Sequence, residues 1–176
     1  MDGTSEAARA LFREHGAALY RFAAVMVRHH QDAEDVVQET FLKLLAHLEA
    51  DGELTNARGW LFTVAAHAAR DRQRGRLRWL PWRPIHDRRV PPPQLADEDG
   101  RLTRARAALQ RLPQRDRLLL LLRAQGLSYR DIAEAAGLNP ASVGRLLARA
   151  VERWAGTRKD GQSYDLLERP SHPGAR

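Results

Sequence analysis

Cysteine is absent from this 176-residue chain, which excludes disulfide bonds, zinc sites built on thiolates and thiol redox switches. Long apolar runs are missing too, since none approaches the roughly 20 residues needed to cross a bilayer. Residues 1–9 are polar and lack the apolar segment of a signal peptide. We therefore expect a cytoplasmic protein with no membrane insertion.

Lysine is scarce, because Lys43 and Lys159 are the only ones, and yet the chain is strongly basic. Its 29 lysine and arginine residues exceed its 22 acidic residues, which gives a formal charge of +7 and a pI near 10.8. Arginine can hold a phosphate or a guanine through two parallel hydrogen bonds. This balance favours a nucleic-acid partner, although a need for solubility would also account for it.

Apolar residues recur at helical spacing in two parts of the chain, which predicts an all-α fold. Residues 9–78 contain three amphipathic helices, and we expect the second to open with Asp32 as its N-cap. Residues 79–100 are rich in proline and arginine and have no periodicity, which is typical of a linker. Helical spacing returns over residues 101–156, and we expect a disordered tail over residues 157–176. The predicted architecture is two small helical domains joined by the linker.

Residues 129–148 have the spacing of a helix-turn-helix. Ala133 is small where the two helices would touch, and Gly137 suits the left-handed turn. Asn139 is a suitable N-cap, and Pro140 fits the first helical position. Five apolar residues fall where the pair would pack together: Ile132, Ala136, Leu138, Val143 and Leu146. A simple αα-hairpin also needs a turn and apolar packing, but it does not require all of these features at these offsets.

The outward side of the second helix would enter a DNA major groove. Arg145 and Arg149 lie one turn apart and are the best candidates for base or phosphate contacts. Gly144 would allow a close backbone approach, although it could equally be a neutral change on an exposed side. The predicted DNA-contacting surface of the helix-turn-helix comprises Arg130, Ser142, Gly144, Arg145, Ala148 and Arg149.

Charges of opposite sign concentrate on the second and third helices of the first part. Asp32, Asp35, Gln38 and Glu39 form an acidic face on the second helix, and we use that name for them below. Acidic residues near a helix N-terminus complement its dipole, but this does not explain Gln38 and Glu39, so a basic protein partner is favoured. The third helix places Thr63, His67, Arg70 and Arg74 on one side, extended by Arg72, Arg76 and Arg78. Such a row could follow DNA phosphates, although cations near a helix C-terminus are also favourable without DNA.

Three stretches of sequence resemble one family. Residues 32–41, Asp-Ala-Glu-Asp-Val-Val-Gln-Glu-Thr-Phe, resemble the core-binding helix of the extracytoplasmic-function (ECF) sigma factors of bacterial RNA polymerase. Residues 57–71, which open Ala-Arg-Gly-Trp-Leu-Phe, resemble the promoter-melting helix of these proteins. Leu-Pro at 112–113, Gly-Leu-Ser-Tyr-Arg-Asp-Ile-Ala at 126–133 and the helix-turn-helix resemble their C-terminal domain. The order of these stretches and the spacing between them agree with this family over roughly residues 9–155.

The resemblance implies a sigma factor that binds core RNA polymerase and promoter DNA and initiates transcription. The acidic face would dock on a basic coiled coil of the polymerase large subunit. The helix from Pro140 would read the minus-thirty-five element, and the DNA-contacting surface of the helix-turn-helix is therefore called the minus-thirty-five surface. Residues 51–56 would receive a flipped base of the minus-ten element. The predicted minus-ten surface comprises Leu54, Thr55, Asn56, Thr63, His67, Arg70, Asp71 and Arg74. An anti-sigma protein is a further expected partner.

Two other classes of function compete with this interpretation. A helix-turn-helix regulator that never docks on polymerase would explain residues 129–148, but it leaves the acidic face and the third helix without a role. An enzyme such as a metal-dependent nuclease is disfavoured, because the seven histidines do not fall at metal-ligand spacings with carboxylates. No glycine-rich phosphate loop or nucleophile motif occurs either. We therefore expect no catalytic residues, no metal and no cofactor.

Overall fold

The computed structural model of the chain describes residues 3–27, 29–78 and 101–167. These residues form seven α-helices: α1 (Gly3–Val27), α2 (His30–Asp51), α3 (Ala57–Arg78), α4 (Arg101–Arg111), α5 (Gln114–Ala124), α6 (Tyr129–Ala136) and α7 (Pro140–Leu167). The expected all-α fold with two helical units is confirmed. The predicted linker, residues 79–100, lies outside the described residues.

Helices α1, α2 and α3 form the first unit and pack against one another because each has an apolar side. Leu19, Phe22 and Met26 of α1 are fully buried. The ring of Phe22 meets the ring of Phe62 edge to face, with centroids 5.5 Å apart, an arrangement that aromatic pairs prefer. This contact fixes α1 across α3.

The start of α2 differs from the expectation. The helix begins at His30, with His29 in an extended conformation as its N-cap and no capping hydrogen bond from a side chain. Asp32 therefore lies in the first turn, where a carboxylate still complements the helix dipole. The prediction that Asp32 is the N-cap is wrong. The helix therefore begins three residues earlier than an N-cap at Asp32 would allow.

Asn56 is the N-cap of α3. Its side-chain oxygen accepts a hydrogen bond from the Gly59 amide at 2.9 Å, and its carbonyl oxygen accepts one from the Trp60 amide at 3.0 Å. A Cβ atom at position 59 would collide with the Asn56 amide group. The glycine is therefore needed for this cap.

The second unit comprises α4 to α7, and its apolar residues continue the core of the first unit. Leu119 and Leu122 of α5 and Ile132 of α6 are fully buried, and they belong to the same apolar cluster as Leu61 and Phe62 of α3. Contacts between α3 and α6, and of α1 with α4 and α5, join the two units. Within the described residues, the protein thus has one continuous core rather than two separate ones.

Helix α7 continues to Leu167, so the prediction of disorder is wrong for residues 157–167. Gly156 does not end the helix, because a glycine inside a helix costs only about 1 kcal/mol relative to alanine. No proline follows until Pro170, so nothing in this stretch blocks helical hydrogen bonding. The remainder of the predicted tail, residues 168–176, lies outside the described residues.

Candidate nucleic-acid interface

The helix-turn-helix is built by two caps and one left-handed residue. The side chain of Ser128 accepts a hydrogen bond from the Asp131 amide at 3.1 Å, and the Asp131 carboxylate accepts one from the Ser128 amide at 3.3 Å. This capping box opens α6. Gly137 ends α6 with a φ of 67°, a left-handed conformation that favours glycine. The Ala141 amide then donates to the Asn139 side chain at 2.9 Å, so Asn139 caps α7.

The packing between α6 and α7 largely agrees with the predicted apolar positions. Ile132, Ala133 and Val143 are buried, whereas Ala136, Leu138 and Leu146 are half-buried and pack against the same core. Leu147, which the sequence pattern did not single out, is buried as well. Because it follows Val143 by four residues, it lies one turn further along the same side of the helix.

The predicted minus-thirty-five surface is open in this structure. Arg145, Ala148 and Arg149 are exposed on the first turns of α7, and Arg130 is exposed on α6. Ser142 is half-buried, and its hydroxyl donates to the Asn139 carbonyl at 2.7 Å. The surface therefore presents two arginines one turn apart at the N-terminal end of a helix.

Gly144 has a specific neighbour. A Cβ atom at this position would lie 3.4 Å from the ring of Tyr129. Tyr129 is itself 47% exposed, and the guanidinium of Arg123 lies over its ring at 5.5 Å from the centroid. The predicted minus-thirty-five surface included neither Arg123 nor Tyr129, although Tyr129 is the first residue of the predicted helix-turn-helix. The only feature of the sequence that could have indicated these two residues is their position, at the end of α5 and the start of α6.

Helix α6 packs against α3 and contacts part of the predicted minus-ten surface. The Asn56 side chain donates to the Asp131 carboxylate at 3.1 Å. The ring of His67 hydrogen-bonds to the backbone of Glu134. A Cβ atom at Gly137 would lie 4.0 Å from the Arg70 guanidinium. The helix-turn-helix thus contacts the side of α3 assigned to minus-ten DNA.

The members of the minus-ten surface differ in exposure. Thr55, Asn56, His67, Asp71 and Arg74 are exposed, while Leu54 and Arg70 are half-buried. Thr63 is only 8% exposed. The expectation that Thr63 lies on a solvated row with His67 and Arg74 is therefore not met in this arrangement. Spacing within α3 alone could not reveal this burial.

The position of His67 beside α6 affects its protonation. Partial desolvation of the ring lowers the pKa of His67 below its ordinary value, and the positive charge of Arg70 lowers it further. The hydrogen bond with the Glu134 backbone and the charges of Asp71 and Glu134 act in the opposite direction. The net result favours the neutral imidazole.

The acidic face has an internal partner that the sequence did not reveal. Arg72 of α3 contacts the carboxylate of Asp35 at 3.1 Å and that of Glu39 at 3.2 Å. Lys43 also contacts Glu39, at 2.7 Å. Hydrogen bonding to Lys43, together with the charges of Lys43 and Arg72, lowers the pKa of Glu39, although partial burial opposes this. The prediction that Arg72 extends the row of phosphate-binding arginines is wrong, because its side chain is directed to α2.

An apolar groove of about 500 Å³ runs beside the acidic face, between α1 and α2. Phe12 and Leu42 are 52% and 59% exposed, and the rings of Phe12 and Phe41 meet edge to face at 4.7 Å. Gln38 lines the same groove. Phe41 is half-buried beside this groove, so the exposed apolar side chains here are Phe12 and Leu42.

Within the described parts of the chain, no three histidine, aspartate or glutamate side chains converge as they would around a metal ion. Among the helices described here, none is both long enough and apolar enough to span a membrane.

Comparison with known proteins identifies both units. The family profile of Sigma-70 region 2 matches residues 11–78, and that of Sigma-70, region 4 matches residues 102–153. The RNA polymerase sigma factor CarQ of Myxococcus xanthus is 30% identical over 155 residues, which is 86% of this chain and 89% of that protein. The ECF RNA polymerase sigma factor SigL of Mycobacterium tuberculosis is 47% identical over 67 residues, 38% of each chain.

Solved structures agree. The sigma factor RpoE, in a complex with the anti-sigma factor NepR from Bartonella quintana, has a TM-score of 0.64 and 27% identity, covering 84% of this chain and 95% of that chain. CnrH, in a complex with the cytosolic domain of CnrY, has a TM-score of 0.61 and 25% identity, covering 96% and 92% respectively. Regions 2 and 4, in this order on two helical units, define a transcription initiation factor of the sigma-70 type. The chain belongs to the ECF sigma factor family and directs core RNA polymerase to promoters.

Proposed function

We propose that this sigma factor divides its contacts between the acidic face, which binds a basic surface of core polymerase, and the minus-thirty-five surface, which reads upstream promoter DNA. The observation that carries the proposal is the sorting of charge onto separate helices. Asp35 and Glu39 lie together on α2, and Arg145 and Arg149 lie together on α7. A surface of one sign attracts a partner of the opposite sign and repels the other partner.

Internal pairing does not remove the acidic face from use. The side chains of Asp35 and Glu39 are 36% and 35% exposed while they contact Arg72. A carboxylate has about four lone-pair sites, and one guanidinium fork occupies only some of them. A polymerase cation can therefore share these carboxylates, and Arg72 holds them in one orientation. Asp32 and Gln38 extend the face towards the start of α2 and towards the apolar groove.

The minus-thirty-five surface is arranged for a major groove. The N-terminal end of a helix directs a positive dipole towards DNA phosphates. Arg145 and Arg149 project from the next turns and can reach base edges or phosphates. Tyr129 packs beside Gly144, and we assign it a supporting role in shaping this surface.

The minus-ten assignment requires a different arrangement of the two units. Asn56, His67, Arg70, Asp71 and Arg74 are suited to contacts with bases and phosphates. Several of them contact α6 in this structure. We propose that they bind minus-ten DNA only after α6 has moved away.

An anti-sigma protein is a further proposed partner. The structural relatives RpoE and CnrH were each solved in a complex, the first with the anti-sigma factor NepR and the second with the cytosolic domain of CnrY. We propose that an anti-sigma protein also binds this chain. Co-purification from native cells, with identification of any bound protein by mass spectrometry, tests this proposal.

Charge reversal tests the polymerase contact. The double substitution Asp35→Lys/Glu39→Lys should lower affinity for core polymerase at least about tenfold, because lysines would face a basic surface. Glu49→Lys, at an exposed position on the same helix, is the matched control and should bind normally. Gln38→Lys adds a positive charge without removing a partner of Arg72, so it should weaken binding with little effect on the melting temperature. Unchanged core affinity in both the double variant and Gln38→Lys would refute the assignment.

A further inference from the structure

Gly144 is an unfavourable residue for its place in the chain. It lies in the second turn of α7, where a glycine costs about 1 kcal/mol relative to alanine. An added Cβ atom would lie 3.4 Å from the ring of Tyr129, which is ordinary van der Waals contact, so an alanine would fit. A longer or branched side chain would have to share this space with the ring. The position therefore favours a small residue while the ring is in place.

Tyr129 is an exposed aromatic residue with contacts on two of its sides. The guanidinium of Arg123 lies over the ring, 5.5 Å from its centroid. The edge that carries Cε2 and the hydroxyl group rests against Gly144. Nevertheless, 47% of Tyr129 is exposed. Exposed aromatic rings with limited freedom are typical of binding surfaces, because they supply much apolar area at a low cost in side-chain entropy.

The surroundings of this ring on α7 are small and apolar. Ala148 follows Gly144 by four residues and Ala141 precedes it by three, so all three lie on one side of the helix. Both alanines are exposed. Their methyl groups and the ring carbons cannot form hydrogen bonds with a base edge. They suit the C5 methyl group of thymine, which is the apolar group that a base pair displays in the major groove.

We infer that Tyr129 is a specificity-determining residue of this sigma factor: its ring, supplied by α6 across Gly144, contacts a thymine methyl group of the upstream promoter element. The inference rests on the proposed minus-thirty-five surface and gives Tyr129 a direct contact there in addition to its shaping role. Arg145 and Arg149 supply the hydrogen bonds to bases or phosphates, and Tyr129 supplies the apolar contact. The need for space beside the ring accounts for the glycine at position 144.

Replacement of thymine by uracil in the DNA tests this contact, because it removes one methyl group and nothing else. The full chain is assembled with core polymerase, and affinity is measured for a duplex with the cognate upstream element. Each thymine of the element is then replaced in turn by deoxyuridine. At one position the replacement should weaken binding about three- to fivefold, as expected for the loss of one buried methyl group. In Tyr129→Ala, the two duplexes should bind equally. The inference is wrong if no thymine is sensitive, or if Tyr129→Ala leaves the sensitivity unchanged.

A second substitution separates the ring from its hydroxyl group. Tyr129→Phe should retain both the parent affinity and the sensitivity to deoxyuridine, because it keeps the ring. A loss of affinity as large as that in Tyr129→Ala would show that the hydroxyl group binds a phosphate, and it would overturn the assignment to a thymine. Val151→Ala is the matched control, since it removes a 50% exposed apolar side chain from α7 about 10 Å beyond Gly144. This control should keep the parent affinity and the sensitivity.

Substitutions at position 144 test the role of the glycine. Gly144→Ala should bind DNA as the parent does and should raise the melting temperature, because alanine is the better helix former. Gly144→Val branches at Cβ and should displace the ring of Tyr129, so it should lose the sensitivity to deoxyuridine. A Gly144→Val variant that keeps this sensitivity would contradict the role assigned to Gly144.

Arg145→Ala distinguishes failure of this inference from failure of the proposed surface. If neither Arg145→Ala nor Tyr129→Ala weakens binding to the cognate element, the minus-thirty-five assignment itself is wrong. If Arg145→Ala weakens binding and no thymine is sensitive, the assigned surface stands and the inference about Tyr129 fails.

Discussion

The two surfaces assigned to promoter DNA differ in how much other helices contact them in this structure. On α7, Arg145 and Arg149 are exposed to solvent. On α3, Thr63 is buried, and His67 and Arg70 lie against α6. Helix α6 is the first helix of the same helix-turn-helix that carries the open surface. The helix-turn-helix thus carries one of the assigned surfaces and contacts part of the other.

This difference shows that the residue types on a surface do not determine whether that surface is accessible to DNA. Both surfaces have arginines at helical spacing, and both are basic. Their availability depends on which helix packs against them, and this is determined by the apolar residues of α5 and α6. The core residues Leu119 and Ile132 of the second unit belong to the cluster that includes Leu61 of the first. Shared core packing therefore controls access to the minus-ten surface.

The largest expected effect concerns this shared core. Leu61→Ala in the first unit and Leu119→Ala in the second should each lower the free energy of unfolding by about 2–5 kcal/mol, because each leaves a cavity at a fully buried position. Both variants should shift one common cooperative transition in thermal or denaturant unfolding. Leu42→Ala, at a residue 59% exposed, is the control and should change stability by less than about 0.5 kcal/mol. Two separate transitions, each sensitive to only one variant, would show that the units fold independently.

A smaller effect is expected on the open surface. Arg145→Ala should cost about 1–3 kcal/mol of binding to the cognate upstream element, because a bidentate contact to a base is lost. It should cost little on DNA in which that element is scrambled. Binding can be measured by fluorescence anisotropy, with Arg111→Ala as a control on an exposed arginine of α4. Equal weakening on both DNAs would mean that Arg145 contacts phosphate alone.

The smallest effect concerns pH at the minus-ten surface. The pKa of His67 is lowered from its ordinary value of 6.5 in the folded protein, so the folded protein binds fewer protons at this ring than the unfolded chain does. The contribution of His67 to stability is therefore complete above pH 6.5 and falls as the pH drops below it. NMR titration of the ring should give a pKa below 6.5.

Replacement of the ring provides the control for this pH effect. His67→Gln cannot titrate, so the pH dependence of the free energy of unfolding should be smaller in that variant than in the parent. A His67 pKa at or above 6.5 in the free protein would contradict the cause assigned to the shift. The neighbouring charges of Arg70, Asp71 and Glu134 remain in both proteins, and the comparison therefore isolates the imidazole.

The helix-turn-helix was predictable because its determinants are local. Ser128 and Asp131 lie three residues apart and form a capping box, and Gly137 adopts the left-handed conformation that its position required. Asn139 caps α7 as expected. Each of these interactions spans only a few residues, so short-range sequence contains the information needed to predict it.

The partners of the acidic face were not predictable in this way. Arg72 lies 37 residues after Asp35 and 33 residues after Glu39 in the sequence. Spacing along α3 placed Arg72 near other arginines, and no local signal indicated that it is directed to α2. The continuation of α7 past Gly156 was not predicted for a different reason, because a polar terminal stretch was expected to be disordered.

The approximate helix positions, the caps and turn of the helix-turn-helix and the segregation of charge followed from the sequence alone, since they depend on periodicity and on interactions between residues a few positions apart. Whether a charged side is open, paired or covered was decided only by the tertiary structure. The burial of Thr63 in α3 and the pairing of Asp35 with Arg72 depend on contacts between helices that are separate in the sequence. Such contacts arise from the fit of apolar surfaces across the whole core, and no short stretch of sequence encodes that fit.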